Sequence, residues 1–212
     1  GMTVALWWAR RDLRLTDNQA LSAALRHADR VVPVFVLDPT LLEASEAGDK
    51  RVAFLMGALA GLDADLRARG SRLVVRRGDP PAELARLVDE TGASAVYAEE
   101  DVAPFARQRD GEVARSLPRQ SPLRLTGGLT VHPAAAVAKV DGSPYTVFTP
   151  YSRRWKALPL PTADVLLPAP ATLGGEPAVD GLPIPREPAL PPEVPFPPSE
   201  AEAQRRLHAF TA

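Results

Sequence analysis

Short apolar runs alternate along the first 126 positions with longer segments whose apolar residues recur every three or four places. Val4 to Trp8 is a short apolar run of strand composition. Thr16 or Asp17 can cap a helix from Asn18 to about His27, with Leu21 and Leu25 on one face. Val31 to Leu37 is almost entirely apolar, which predicts a strand covered on both sides, and Asp38-Pro39 ends it. A loop is expected from Thr40 to Lys50. Arg51 to Arg69 carries Val52, Leu55, Leu59, Leu62 and Leu66 at helical spacing, with Gly70 as the stop. Arg72 to Arg76 is a third strand. Asp79-Pro80-Pro81 opens a helix that runs to about Thr91. Ala93 to Ala98, Pro104 to Leu117 and Leu123 to Thr126 read as strand, helix and strand.

Alternation of strand and helix with short connections predicts an α/β fold. The expected architecture is a Rossmann-like, open, five-stranded parallel sheet with helices on both faces. Composition then changes. Of the 23 prolines, 13 lie between Pro159 and Pro198. Proline lacks an N–H and fixes φ, so such a stretch predicts an extended linker. A capped helix restarts at Ser199, with Glu202 placed for a capping box. The expected division is an α/β domain at 3–132, a Pro-rich interdomain linker at 133–198 and, at 199–212, the first helix of a further, truncated domain. Residues 158–198 are expected to be the most mobile or most partner-dependent part.

Charge and composition narrow the chemistry. The formal charge is -1, which does not fit a basic nucleic-acid module. The chain has no cysteine, so disulfides and thiolate metal sites are excluded. That fits a reducing cytoplasm, the expected compartment. His27, His132 and His208 lie far apart and give no metal-ligand spacing. No apolar run reaches the roughly 18 residues of a membrane-spanning helix. Neither a Ser-His-Asp arrangement nor a paired-carboxylate spacing stands out, so no catalytic machinery is visible in the chain itself.

A parallel sheet binds ligands beyond the carboxyl ends of its strands, where the strand order reverses. The residues expected there are Ala9-Arg10-Arg11, Leu37-Asp38 and Glu99-Glu100-Asp101, with Arg51, Phe54 and Leu55 facing the same crevice. The first turn has no Gly-x-Gly-x-x-Gly and no Walker pattern, which disfavours ordinary dinucleotide or ATP binding. Apolar walls with arginines and carboxylates suit a flat, polar-edged ring better than a phosphate. The plainer alternatives stay open: Arg10, Asp12 and Arg14 as a salt-bridged turn, Asp101 as a cap for the helix at Pro104, and Phe54 and Leu55 as core. Trp7 and Trp8 are expected to point to opposite sides of the sheet, one of them into the core.

Two segments carry a family resemblance. Trp7-Trp8-Ala9-Arg10-Arg11-Asp12-Leu13-Arg14-Leu15-Thr16-Asp17-Asn18-Gln19-Ala20-Leu21 resembles the opening of the DNA photolyase/cryptochrome family, and Asp141-Gly142-Ser143-Pro144-Tyr145-Thr146-Val147-Phe148-Thr149-Pro150-Tyr151-Ser152-Arg153-Arg154-Trp155 resembles the signature that ends its α/β domain. Phe35 to Pro39, Arg51 to Leu55, Arg109-Asp110-Gly111 and Phe196 to Glu200 also look like that family.

The resemblance implies an N-terminal light-harvesting domain with an antenna chromophore, and a C-terminal helical domain that holds FAD. It implies a parent that splits cyclobutane pyrimidine dimers in damaged DNA, with light and FAD. The alternative is the same domain of a cryptochrome-type blue-light receptor without repair. The fragment alone is expected to be inactive and not to bind DNA tightly, its own C-terminal FAD-binding domain being the partner. Arg10, Phe35, Leu37, Asp38, Arg51, Phe54, Leu55 and Asp101 match positions that line the antenna pocket of the deazaflavin/FMN type. Ala98-Glu99-Glu100-Asp101 departs from the Asn-bearing segment of the folate type. The resemblance therefore favours 8-hydroxy-deazaflavin, then FMN, with methenyl-tetrahydrofolate last. Arg10 and Arg51 would neutralise a deprotonated ring hydroxyl or a phosphate, and Asp101 would accept from the imide NH.

Overall fold

A computed structural model describes residues 1–40, 48–127 and 167–184. The strands are β1 (Val4–Trp8), β2 (Arg30–Leu37), β3 (Val74–Arg77), β4 (Val96–Glu99) and β5 (Leu123–Thr126). Between them run α1 (Gln19–His27), α2 (Gly48–Arg67), α3 (Pro80–Thr91) and α4 (Pro104–Ser116). The strands form one parallel sheet in the order β3-β2-β1-β4-β5, so the expected α/β architecture holds. The chain winds outward from β1 to β3, then returns to place β4 on the other side of β1. The strand order therefore reverses between β1 and β4, and the crevice opens beyond Trp8 and Glu99.

Side-chain alternation along the strands splits the core in two. One layer joins Trp7, Phe35, Leu37 and Tyr97 to Leu21 and Ala24 of α1 and to Leu59, Leu62 and Leu66 of α2. The other joins Trp8, Val34, Val36 and Val96 to Leu84, Leu87 and Val88 of α3 and to Val113 of α4. Both Trp7 and Trp8 are buried, one in each layer.

Helix ends follow local chemistry, with small departures from the sequence reading. The α1 cap is Asn18 rather than Thr16 or Asp17: its side chain accepts from the Leu21 N–H at 2.9 Å. Asp17 instead takes a left-handed turn, φ 47°, that brings Asn18 into place. A rigid amide suits this because its other end donates to Asp12 Oδ2 and to the Arg14 carbonyl, each at 3.0 Å. Helix α2 already begins at Gly48, within the stretch read as loop. Asp79 occupies the α3 N-cap position without a side-chain bond, and Pro80 supplies the fixed φ of a first turn.

Residues 167–184, read from composition as linker, run along the sheet and are sutured to it. The Val31 N–H donates to the Leu173 carbonyl at 2.9 Å, and the Leu182 N–H donates to the Val75 carbonyl at 2.8 Å. Leu173 itself is fully buried. Prolines in this segment offer carbonyls but no N–H groups, so arginines supply the donors. Arg69 Nε reaches the Pro170 carbonyl at 2.8 Å, Arg30 Nε the Gly174 carbonyl at 3.1 Å and Arg76 Nε the Asp180 carbonyl at 2.8 Å. Arg72 donates to the carbonyls of Pro177 and Val179. Gly174 (φ 86°) passes so close that a Cβ would sit 2.1 Å from the Asp29 carbonyl oxygen. The remaining parts of the expected linker and the helix expected at 199–212 lie outside the described residues, as does the segment from Asp141 to Trp155.

Candidate functional site

A cavity of about 340 Å³ opens at the reversal point. Trp8, Ala9, Arg10 and Arg11 enter from the end of β1, and Phe35, Val36 and Asp38 from the end of β2. Pro80 begins α3 there, and Asp101, Ala103, Phe105, Ala106 and Arg109 come from the β4–α4 connection and α4. The volume lies at the lower end of the range for small-molecule sites, roughly 300–1,000 Å³. Its walls combine three aromatic rings with cations and carboxylates.

Arg10 is the structural hinge of this site. Its guanidinium donates to the Asp110 carboxylate and to the Glu99 carbonyl, tying β1 to α4 and β4. Its Cζ lies 4.7 Å from the centre of the Trp8 ring. Arg109 Cζ lies 5.1 Å from the Trp8 ring and 5.9 Å from that of Phe105, and its Nε is 3.4 Å from Asp110 Oδ1. Phe105 and Arg109 stand one helical turn apart on α4, which puts both on the same face. Burial and the Arg10 charge lower the Arg109 pKa from its ordinary value, and Asp110 works against them. One of the open alternatives put Arg10 in a salt-bridged turn with Asp12 and Arg14, but its ion pair is with Asp110. Of Arg10, Asp12 takes only the backbone N–H, at 3.2 Å, its other oxygen accepting from Asn18, while Arg14 holds the Thr16 and Asp17 carbonyls.

The carboxylates sort by face. Asp101 Oδ1 accepts from the Ala103 N–H at 3.0 Å, and its Oδ2 lies 3.8 Å from Arg11 Nε. It thus orders the turn before α4 and still fronts the cavity. Asp38 holds the Thr40 N–H at 2.9 Å. Glu99 turns the other way, as alternation along β4 requires. Its Oε1 accepts from the Gln19 N–H of α1 at 3.2 Å, and its Oε2 is buried with no partner. Burial, then repulsion from Asp12, raise its pKa to about 7. Burial also raises the pKa of Asp12.

The structure therefore brings Arg10, Phe35, Asp38 and Asp101 together at one cavity. Leu37 and Leu55 pack in the α1–α2 layer, and Arg51 and Phe54 stand exposed at the start of α2. Trp8, Pro80, Phe105, Arg109 and the ion-pair partner Asp110 were not singled out as site residues. The one signal for the last two was Arg109-Asp110-Gly111, noted for its likeness alone. Among the described residues, no group of His, Cys, Asp or Glu could hold a metal ion. No helix among them is long and apolar enough to cross a membrane.

The model of one family, DNA photolyase, matches residues 5–171. The chain belongs to the DNA photolyase family. A deoxyribodipyrimidine photo-lyase of Streptomyces griseus is 41% identical over 164 residues, covering 74% of this chain and 35% of its own length. A bacterial class III photolyase from Agrobacterium tumefaciens superposes with a TM-score of 0.79 at 28% identity, covering 99% of this chain and 45% of its own. An archaeal photolyase from Sulfolobus tokodaii, described as holding two FAD molecules and implying a novel light-harvesting cofactor, gives a TM-score of 0.65 at 25% identity over 82% of this chain and 38% of its own. The chain spans between 33% and 55% of the length of three curated relatives that it matches.

Proposed function

We propose that the cavity beyond β1 and β4 holds a flat, light-absorbing cofactor and that the chain is the antenna domain of a light-dependent DNA repair enzyme. The observation that carries this reading is the convergence of Trp8, Phe35 and Phe105 with Asp38, Asp101, Arg11 and Arg109 on one cavity at the reversal point. Three rings offer stacking surface to a planar heterocycle. Asp38 and Asp101 offer acceptors for ring N–H groups, and Arg11 and Arg109 offer positive charge to a ring oxygen or phosphate. The residues present thus fit a deazaflavin- or flavin-type ring.

When bound, such a group would absorb near-UV or blue light and pass the excitation on. The chain's own residues bind and orient it. Arg10, already bound to Asp110 and the Glu99 carbonyl, keeps α4 and β4 at a fixed spacing around the ring. Asp101 is held in orientation by the Ala103 N–H before any ligand arrives, which lowers the ordering cost of binding. Arg51 and Phe54, exposed at the start of α2, are proposed to close the outer side, and Leu37 and Leu55 to support it from the α1–α2 layer in which they pack. In the parent protein, a flavin-bearing catalytic domain would receive the excitation and repair a cyclobutane pyrimidine dimer turned out of the DNA stack.

The test is a fluorescence titration of the chain with 8-hydroxy-deazaflavin, FMN and methenyl-tetrahydrofolate. Saturable binding of one of the first two at micromolar concentration or below is expected. Asp101→Ala and Arg51→Ala should each weaken it severalfold. Binding of the folate alone, or affinities untouched by both substitutions, would remove this cavity as the site.

A further inference from the structure

Trp8 is the residue whose position raises a problem for an antenna. It ends β1, is 2% exposed and walls the cavity proposed to hold the chromophore. An indole beside an excited flavin-type ring is a ready electron donor. One electron would pass from the indole to the excited ring, leaving an indole radical cation and a one-electron-reduced ligand. The electron would then return, and the excitation would be lost as heat.

The surroundings of Trp8 oppose that step. Two guanidinium carbons lie over its ring, Arg10 Cζ at 4.7 Å and Arg109 Cζ at 5.1 Å. Both cations pair with the single Asp110 carboxylate, so this cluster beside the indole holds two positive charges to one negative. Of the other carboxylates at the cavity, Asp101 has Arg11 at 3.8 Å and Asp38 holds the Thr40 N–H. A neutral indole is held by cations through its π face. An indole radical cation would instead repel them, in a site where burial weakens solvent screening.

We infer that Arg10 and Arg109 protect Trp8 from photo-oxidation by the ligand in the cavity, so that the ligand's excited state lives long enough to hand on its energy. This rests on the chromophore reading above and assigns the two arginines a purpose beyond binding. It explains why two cations are stacked on one buried indole, where a single Arg10–Asp110 pair would have sufficed to join β1 to α4.

The experiment is time-resolved fluorescence of bound FMN, or of 8-hydroxy-deazaflavin if that is the ligand that binds. It uses the full chain with Trp8→Phe, Arg109→Gln, Arg109→Lys and the Trp8→Phe/Arg109→Gln pair. The lifetime is read on the bound fraction, whatever the affinity. The unsubstituted chain, Trp8→Phe and Arg109→Lys should agree within about twofold. Arg109→Gln should shorten the lifetime severalfold, and removing the indole in the double variant should restore it. A severalfold longer lifetime in Trp8→Phe than in the unsubstituted chain would show that Trp8 quenches despite its cations and would overturn the inference. So would an unchanged lifetime in Arg109→Gln. Absence of saturable binding by either ligand would remove the cavity reading and the protection with it, an outcome distinct from binding with the wrong lifetimes.

Discussion

Val31 donates its backbone N–H to the carbonyl of Leu173, 2.9 Å away, and so completes the start of β2 with a residue from the far end of the chain. The pairing arises because β3 begins only opposite Val34, leaving the first half of β2 without a neighbour on that side. A buried N–H left open there would cost free energy, and the Leu173 carbonyl satisfies it. The Leu173 side chain then drops into the α1–α2 layer.

Truncating Leu173 to Ala should destabilise the domain by about 2–5 kcal/mol, since a fully buried leucine leaves a cavity that the strap can only partly close. Gly174→Ala should also destabilise it, because both the positive φ and the approach to Asp29 exclude a Cβ. Urea unfolding measures both. Stabilities equal to that of the unsubstituted chain would mean that the strap is not part of the folded unit.

Asn18 couples the α1 cap to the buried Asp12 carboxylate. Asn18→Ala should cost about 1–2 kcal/mol from the cap alone, and more because Asp12 loses a donor in a buried site. Asn18→Asp keeps a capping oxygen but places a second carboxylate against Asp12. It should therefore be worse at neutral pH than at pH 4, whereas a cap acting alone would make it harmless at both. Thermal unfolding at the two pH values distinguishes these outcomes.

Glu99 should make the domain less stable as pH rises. Its native pKa of about 7 lies above the ordinary value of 4.5, so the folded chain holds a proton that the unfolded chain has released. Stability contributed by this group is therefore lost between those two values, by up to about 3 kcal/mol. Glu99→Gln keeps the oxygen that accepts from the Gln19 N–H and cannot ionise. It should raise stability at pH 8 and leave it unchanged near pH 4. An equal effect at both pH values would show that folding leaves the Glu99 carboxyl at its ordinary value.

Most strands and helices were legible in the sequence because their cues are local. The apolar run Val31 to Leu37, the three- and four-residue spacing of Leu55 to Leu66, and proline at the first turns of α3 and α4 each act within a few residues. Arg10, Asp38 and Asp101 could be placed in advance because each follows the carboxyl end of a strand, whereas the order of the strands comes from the tertiary structure. The α1 cap moved by one residue because its choice depends on Asp12 as a second partner for Asn18, which spacing alone does not encode.

By itself the sequence determined the α/β class, the elements, the family likeness and half of the cavity wall. Only the tertiary structure decided the rest. Arg10 meets Asp110 across 100 residues of chain, and two arginines converge on Trp8 from different elements. Glu99 turns to α1 while Asp101 turns to the cavity, and a Pro-rich segment becomes a strap once Arg30, Arg69, Arg72 and Arg76 present donors to its carbonyls. The reason is physical: hydrophobic periodicity is a property of one segment, whereas an ion pair, a cation over a ring or a satisfied carbonyl exists only when two segments have been brought together by the packing of both.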